Sequence, residues 1–211
     1  MSNLKRSLLL LITAGLLAGT AHARIGESRS SLENRLFKDR KGVKVPARDQ
    51  SNWITHKSVP YRALYEFFPD GIEEAVYYKI AEDGQATTAD VNENQFPDGW
   101  MLHVVYKNGQ SVFEAYRRNG AGITRYEEEA ILVVNQGGSH WQRVNAKEAK
   151  PSVFGYNLER ADGQVRAQLR GNYLLVYRVE FDEVVKAGKD EADAETDAEK
   201  KDEAPKSVEG F

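Results

Sequence analysis

Through the middle of the chain, short runs of apolar residues alternate with polar ones, and Asx-Gly pairs separate the runs. Six pairs punctuate it: Asp70-Gly71, Asp83-Gly84, Asp98-Gly99, Asn108-Gly109, Asn119-Gly120 and Asp162-Gly163. Glycine takes the positive φ that tight turns need, and Asp or Asn tolerates it while bonding its own backbone. Runs rich in Tyr, Phe and Val between such pairs predict a mostly antiparallel sheet with short connections. The plainest hairpin has arms at 101–106 and 111–117, joined through Lys107-Asn108-Gly109-Gln110. Side chains alternate across a strand, so Leu102, Val104 and Tyr106 share one face and Met101, His103 and Val105 the other. Both faces are partly apolar, which predicts a central position in the sheet. Residues 61–68 and 74–81 read as a second strand pair around Asp70-Gly71. Residues 173–181 read as the last strand, with 165–169 or 153–158 as its partner.

Two segments break this alternation with helical spacing. Over 28–37, Leu32 and Leu36 lie four apart and give an apolar stripe. Ser30 and Glu33 have the spacing of a capping box, and Ser28 is a second candidate cap. Over 124–135, Thr124 and Glu127 again fit a capping box. Tyr126, Ala130, Ile131 and Val134 lie within one face, and Gly137-Gly138 supplies the stop. The apolar, largely β-branched cluster at 131–134 leaves a strand open there as the competing reading. The order is helix, strands, helix, strands. It predicts an α+β fold, built on a mostly antiparallel sheet with two short helices. Two similar units, 28–118 and 124–181, are one arrangement of it. Gly26-Glu27-Ser28 and Gly122-Ile123-Thr124 match in type, but Leu32 then falls opposite Glu128.

The two ends follow other rules. Lys5 and Arg6 precede an apolar run at 7–18, and Ala21-His22-Ala23 places small residues before a cut between Ala23 and Arg24. This is a signal-peptide pattern. The run is too short for a membrane anchor, which needs about 20 apolar residues. The protein is therefore expected to be exported, to the periplasm or the medium. Residues 186–211 carry five Lys against nine Asp and Glu. They hold little that could offset their ordering entropy, so an acidic disordered tail is predicted. A single exposed helix at 189–203 is the alternative, since Ala, Glu and Lys favour it.

Composition sharpens this picture. The 211-residue chain has no cysteine, which excludes disulfides, a Cys-ligated zinc, a thiol nucleophile and an acylated lipoprotein anchor. A sequence pI near 5.9 argues against a nucleic-acid partner, and residues 24–185, with 22 basic and 23 acidic side chains, are almost neutral.

Candidate chemistry is sparse. His56, His103 and His140 have no metal-site spacing, and no metal is predicted. Ser139 and His140 are adjacent and on an extended chain point to opposite sides, and no Gly-x-Ser-x-Gly elbow is present. Glu127-Glu128-Glu129 suits the positive end of a helix dipole. No phosphate loop or dinucleotide fingerprint occurs, so no cofactor is predicted. No catalytic residue is assigned. The one enzyme reading kept open is a hydrolase that folding would assemble from His103, His140 and carboxylates. Aromatic side chains crowd the first half, and an exposed Tyr-rich sheet face would suit an envelope protein or a glycan. The candidate binding residues are Tyr65, Tyr78, Trp100, His103 and Trp141. A second candidate surface is the basic stretch of Lys38, Arg40, Lys41, Lys44 and Arg48. It reads as a solvated loop, or as a contact for anionic headgroups, an acidic partner or the acidic tail.

Gly26-Glu27-Ser28 with Leu32 and Leu36 resembles the helix-opening motif of small outer-membrane assembly lipoproteins and of β-lactamase-inhibitor-like domains. Phe37 stands where those have Gly, and Pro46 comes later than their Pro. The wider pattern is similar to exported bacterial proteins of unassigned activity. Those open with Ile-Gly-Glu-Ser/Thr after the leader and carry a later helix, a Gly/Ser turn and Trp, here at 128–135 and Gly137-Gly138-Ser139-His140-Trp141. The resemblance implies an exported α+β domain and carries over no catalytic residue. The function expected from all this is a non-catalytic exported module that binds a macromolecule or associates with the envelope.

Overall fold

Asn108 and Gly109 both take positive φ, 53° and 73°, the geometry of a two-residue turn whose twist matches its flanking strands. They close the central hairpin. In the computed structural model, residues 24–202 are described, apart from 39, 55, 82–84, 86–97 and 146. The predicted leader with Ala23, the Asp83-Gly84 pair, the Arg48 side chain and residues 203–211 lie outside them.

In chain order the elements are α1 (Arg29–Phe37), β1 (Gly42–Lys44), α2 (Ala47–Ile54), a 3-10 helix (Arg62–Phe67), β2 (Ile72–Ile80), β3 (Gly99–Lys107) and β4 (Gln110–Arg118). There follow α3 (Arg125–Asn135), β5 (Trp141–Arg143), β6 (Leu158–Arg160), β7 (Val165–Arg170), β8 (Tyr173–Arg178) and α4 (Val179–Asp202). The strands form one eight-stranded sheet of order β1-β2-β3-β4-β8-β7-β6-β5, antiparallel at every pairing. The fold is α+β with a mostly sheet core, as the alternation and turn spacing predict. The strand order runs up to β4 and then back down from β8, so the two helix-then-strands series meet at the β4–β8 pair.

Side-chain alternation sorts the core onto two faces. On one, Ala75, Tyr77, Leu102, Val104, Leu174 and Val176 pack under Leu32 and Leu36 of α1 and Ile131 and Leu132 of α3. On the other, Phe113, Leu175 and Tyr177 meet the 3-10 helix through Leu64 and α4 through Phe181 and Val185. Further along that face, Val76, Tyr78 and Met101 meet Ile54 of α2. Burying each of these large side chains contributes roughly 1.5–3 kcal/mol before entropy is counted.

Several expectations are corrected. Residues 61–68 are not a strand but a 3-10 turn, and β2 pairs instead with β1 and β3. The last strand stops at Arg178, where α4 begins. Residues 186–202, expected to be disordered, continue that helix. The ion pairs Lys186–Asp190 and Lys189–Asp193, at i,i+4, support it. The cap of α1 is Ser28, whose hydroxyl accepts from Ser31 N, rather than Ser30. In α3 the helical reading of 131–134 holds, and the Thr124–Glu127 capping box is complete. Two helices beyond the two expected, α2 and α4, cover the second face. Asp98-Gly99 is a strand start and not a turn. A Cβ on Gly99 would lie 2.5 Å from the Lys79 carbonyl, so the glycine permits close approach of β2. Among the described residues no helix is long and apolar enough to cross a membrane.

Candidate functional site

Helices pack on both sheet faces and bury Tyr61, Tyr77 and Tyr78, so among the described residues there is no exposed Tyr-rich sheet face. Tyr78 is fully buried against α2. His103 is 5% exposed and on the same side of β3 as Met101. Its Nδ1 lies 2.8 Å from the Tyr61 hydroxyl and its Nε2 3.0 Å from Glu74. Tyr65 is half-buried and donates to both Glu74 oxygens at 2.6 Å. Burial alone would raise the Glu74 carboxyl, but hydrogen bonds from His103 and Tyr65 hold it below its ordinary range. The Tyr61 hydroxyl is pushed well up, first by burial. This Tyr–His–Glu arrangement ties the 3-10 helix to the sheet.

His140 is exposed and precedes edge strand β5, whereas β3 lies five strand positions away. At about 4.8 Å per strand the two histidines are roughly 24 Å apart. Folding does not assemble the His103–His140 hydrolase site. His56 is half-buried, and its ring Nδ1 lies within hydrogen-bond distance of the hydroxyl and backbone N of neighbouring Ser58. Trp141 on β5 donates from Nε1 to the Leu132 carbonyl at 2.7 Å and so buttresses α3. The basic residues are strung along the β1 edge: Lys38 caps α1, Arg40 has φ 54°, and Lys44 lies on the edge strand. The acidic helix α4 packs on the 3-10 helix and β8 instead.

Of the five aromatic and histidine candidates, Trp100 lines a cavity. Trp100, Leu102 and Val104 face α1 and α3. These helices flank a cleft whose floor is the sheet. An inner cavity of about 330 Å³ has Tyr77, Leu102 and Tyr116 as floor, Leu36 and Ile131 as walls, and Trp100 with Lys79 at one end. An outer cavity of about 630 Å³ is bordered by Glu27, Ser28, Gln110 and Val133. Arg24, Arg35 and Val134 line both, so the two cavities adjoin. Burial pushes the Tyr77 hydroxyl up to about 12, and it donates to Glu33 at 2.9 Å.

A buried polar network builds the outer end. Arg24 N donates to the Val134 carbonyl at 3.1 Å, and Gly26 N to the Ser111 carbonyl at 2.9 Å. Ile25 N donates to Asn135 Oδ1 at 2.8 Å. Asn135 Nδ2 reaches the Ile131 carbonyl and the Tyr116 hydroxyl, and Tyr116 donates to Glu114. Glu114 is fully buried with Oε1 unpartnered. Burial raises its carboxyl, outweighing the Tyr116 hydrogen bond and the attraction of Arg35.

The cleft's carboxylates are committed. Glu27 pairs with Arg35 at 2.7 Å. Glu127 accepts from Thr124 N at 2.9 Å and pairs with Arg118 Nε at 3.3 Å. Among the described residues the Arg24 guanidinium holds no hydrogen bond or ion pair. Sequence reasoning named Arg24 only as the residue after a cut, and found Trp100 but not the cleft. Arg35 and Val133 carried no separate signal and Val134 was read only as part of an apolar helix face, because the space between two helices depends on how far apart they land.

Fold and cleft together define an α+β protein with an open, preformed groove between two helices. No protein-family model matches the chain, and neither a curated protein nor a solved structure matches it. The likeness of the Gly26–Leu36 stretch to other proteins therefore rests on those residues alone.

Proposed function

We propose that the protein is exported, with its leader removed after Ala23, and acts outside the cytoplasm as a non-catalytic binding module whose ligand occupies the α1–α3 cleft. The observation that carries this reading is the cleft itself. It is preformed, falls in the size range of ligand sites, and is lined mainly by aliphatic and aromatic side chains along its inner part and by charged and polar ones, among them Arg24, Arg35, Glu27 and Ser28, at its outer end. Its acidic groups already serve a helix cap and an ion pair, so none is poised as a general base. The export half draws support from Arg24: the first residue after the predicted cut is the one whose backbone joins the outer end of the cleft.

Fractionating producing cells and weighing the intact protein tests export. The expected mass is that of a chain beginning at Arg24 in the envelope fraction or medium, and a full-length cytoplasmic chain overturns it. A photoreactive residue at Val133, which is 62% exposed on the rim, tests binding in place. Adducts should form from that position and not from Gln142 on β5. Equal labelling at both overturns the assignment of the cleft.

A further inference from the structure

The cleft has a direction. Trp100 pairs with Arg118 at one end of the β3–β4 hairpin, and Lys107 pairs with Gln110 at the other. Seven residue rises separate them, roughly 23 Å. Arg24, Glu27, Ser28 and Gln110 gather at the turn end, while Leu36, Leu102, Ile131 and Trp100 line the inner length. The space is thus polar at its mouth, where Arg24 and Arg35 face Glu27, and has a mainly apolar lining along its depth, where Lys79 and Glu127 carry opposite charges. Its rim on α3 is apolar too: Tyr126 is 84% and Val133 62% exposed, and exposed Ala130 lies between them at helical spacing.

Charge selects the head of the ligand. At the mouth Arg35 is balanced by Glu27. Arg24 has no such partner among the described residues, so it is the cation left over for an incoming anion. Processing before Arg24 would add an α-ammonium at the same point. One of its protons would go to the Val134 carbonyl, which Arg24 N already contacts.

We propose that the cleft binds a single monomeric acyl chain with an anionic head, the chain lying along Leu36, Leu102, Ile131 and Trp100 and the head at Arg24. The inference rests on the binding-module reading of the same cleft and names its ligand class. A bilayer surface is the competing source of such chains. The cleft lies sunk between two helices and opens through a mouth, a shape that suits one extracted chain.

The test is calorimetric titration of the purified full protein with dodecanoate below its micelle concentration. Dodecyltrimethylammonium, dodecanol and anionic phosphatidylglycerol vesicles serve as parallel probes. Saturable one-to-one binding of dodecanoate is expected, with the cationic amphiphile weaker by about tenfold or more. Arg24→Gln should weaken dodecanoate about fivefold or more and leave dodecanol unchanged. Ala130→Trp, which fills the cleft from an exposed position, should weaken both by about tenfold or more. The headgroup series on the unaltered protein needs no variant to fold. No saturable binding, equal binding of both head charges, binding to vesicles alone, or Ala130→Trp without effect overturns the proposal. If dodecanoate fails while Val133 still gives position-specific adducts, the ligand class is wrong and the binding module stands. If the adducts fail as well, both fall.

Discussion

Asp182 is 1% exposed and holds three backbone or side-chain donors around residues 152–154, besides Arg166 at 3.0 Å. Arg166 is equally buried, pairs also with Glu159, and lies 4.1 Å over the Tyr156 ring. Removing one partner of such a pair leaves an uncompensated buried charge. Asp182→Ala is therefore expected to cost about 3–5 kcal/mol in urea denaturation. Arg166→Met added to Asp182→Leu should recover much of that loss. Glu114 behaves in the opposite sense. Unfolded, it ionises near 4.5, and burial moves it higher in the fold. Above 4.5 the folded state holds a proton that the unfolded state has lost, so stability falls as pH rises until the folded value is passed. Below 4.5 both states are protonated and the penalty is absent. Glu114→Gln should then raise Tm near neutral pH, by about 2–4 °C for each kcal/mol regained at this chain length. It should match the parent near pH 3.5, well within the protonated range. A gain that persists undiminished in acid would show that titration is not its cause. Neither residue announced itself in the sequence, because what sets both apart is burial, which the residues beside them along the chain do not reveal.

At the scale of elements, local chemistry decided what could be read. The Asn108-Gly109 turn and the Thr124–Glu127 box act within four residues, so the hairpin and α3 were legible. Residues 61–68 were not, because Tyr61, Leu64, Tyr65 and Phe68 fit either an extended or a helical surface. What decides there is a non-local contact, Tyr61 with His103 and Tyr65 with Glu74. The end of β8 was lost for a similar reason: Val179 and Phe181 continue the alternation, yet Phe181 and Asp182 are buried by α4 turning across the opposite face. Two predictions belong here. Thr124→Ala removes the cap from α3 and should cost about 1 kcal/mol, with faster amide exchange at Glu127 and Glu128 than at Ile131. Ending the chain after Asp190 should change stability by less than about 0.5 kcal/mol, since the described side chains lost, at 191–198, are exposed apart from half-buried Ala192. Ending it after Arg178 removes Phe181, Asp182 and Val185 together and should abolish cooperative unfolding. If the longer truncation melts like the parent, α4 is not part of the core.

For the whole molecule the question is whether the two helix-then-strands series are separable. Their meeting line is the β4–β8 pair, five residues in register from Phe113↔Tyr177 to Arg117↔Tyr173. A fragment 24–122 would leave that edge of β4 unpaired and strip Leu174 and Val176 from one core face and Leu175 and Tyr177 from the other. The first segment is also held by the second series. Ile25 N rests on Asn135 and Arg24 N on the Val134 carbonyl of α3. A Cβ on Gly26 would lie 2.5 Å from the Arg178 guanidinium at the end of β8, so the chain passes directly under that side chain. The start of the first series thus needs elements laid down last. Such interlocking couples the parts into one unfolding unit, since neither edge nor N-terminal clamp can form without the other. The full protein is expected to show a single urea transition, coincident by Trp fluorescence and far-UV circular dichroism. Fragment 24–122 alone should show none, and mixing it with 123–202 should restore it. Two resolved transitions in the full chain, or a fragment that melts cooperatively by itself, would mean that the β4–β8 junction joins two independent units.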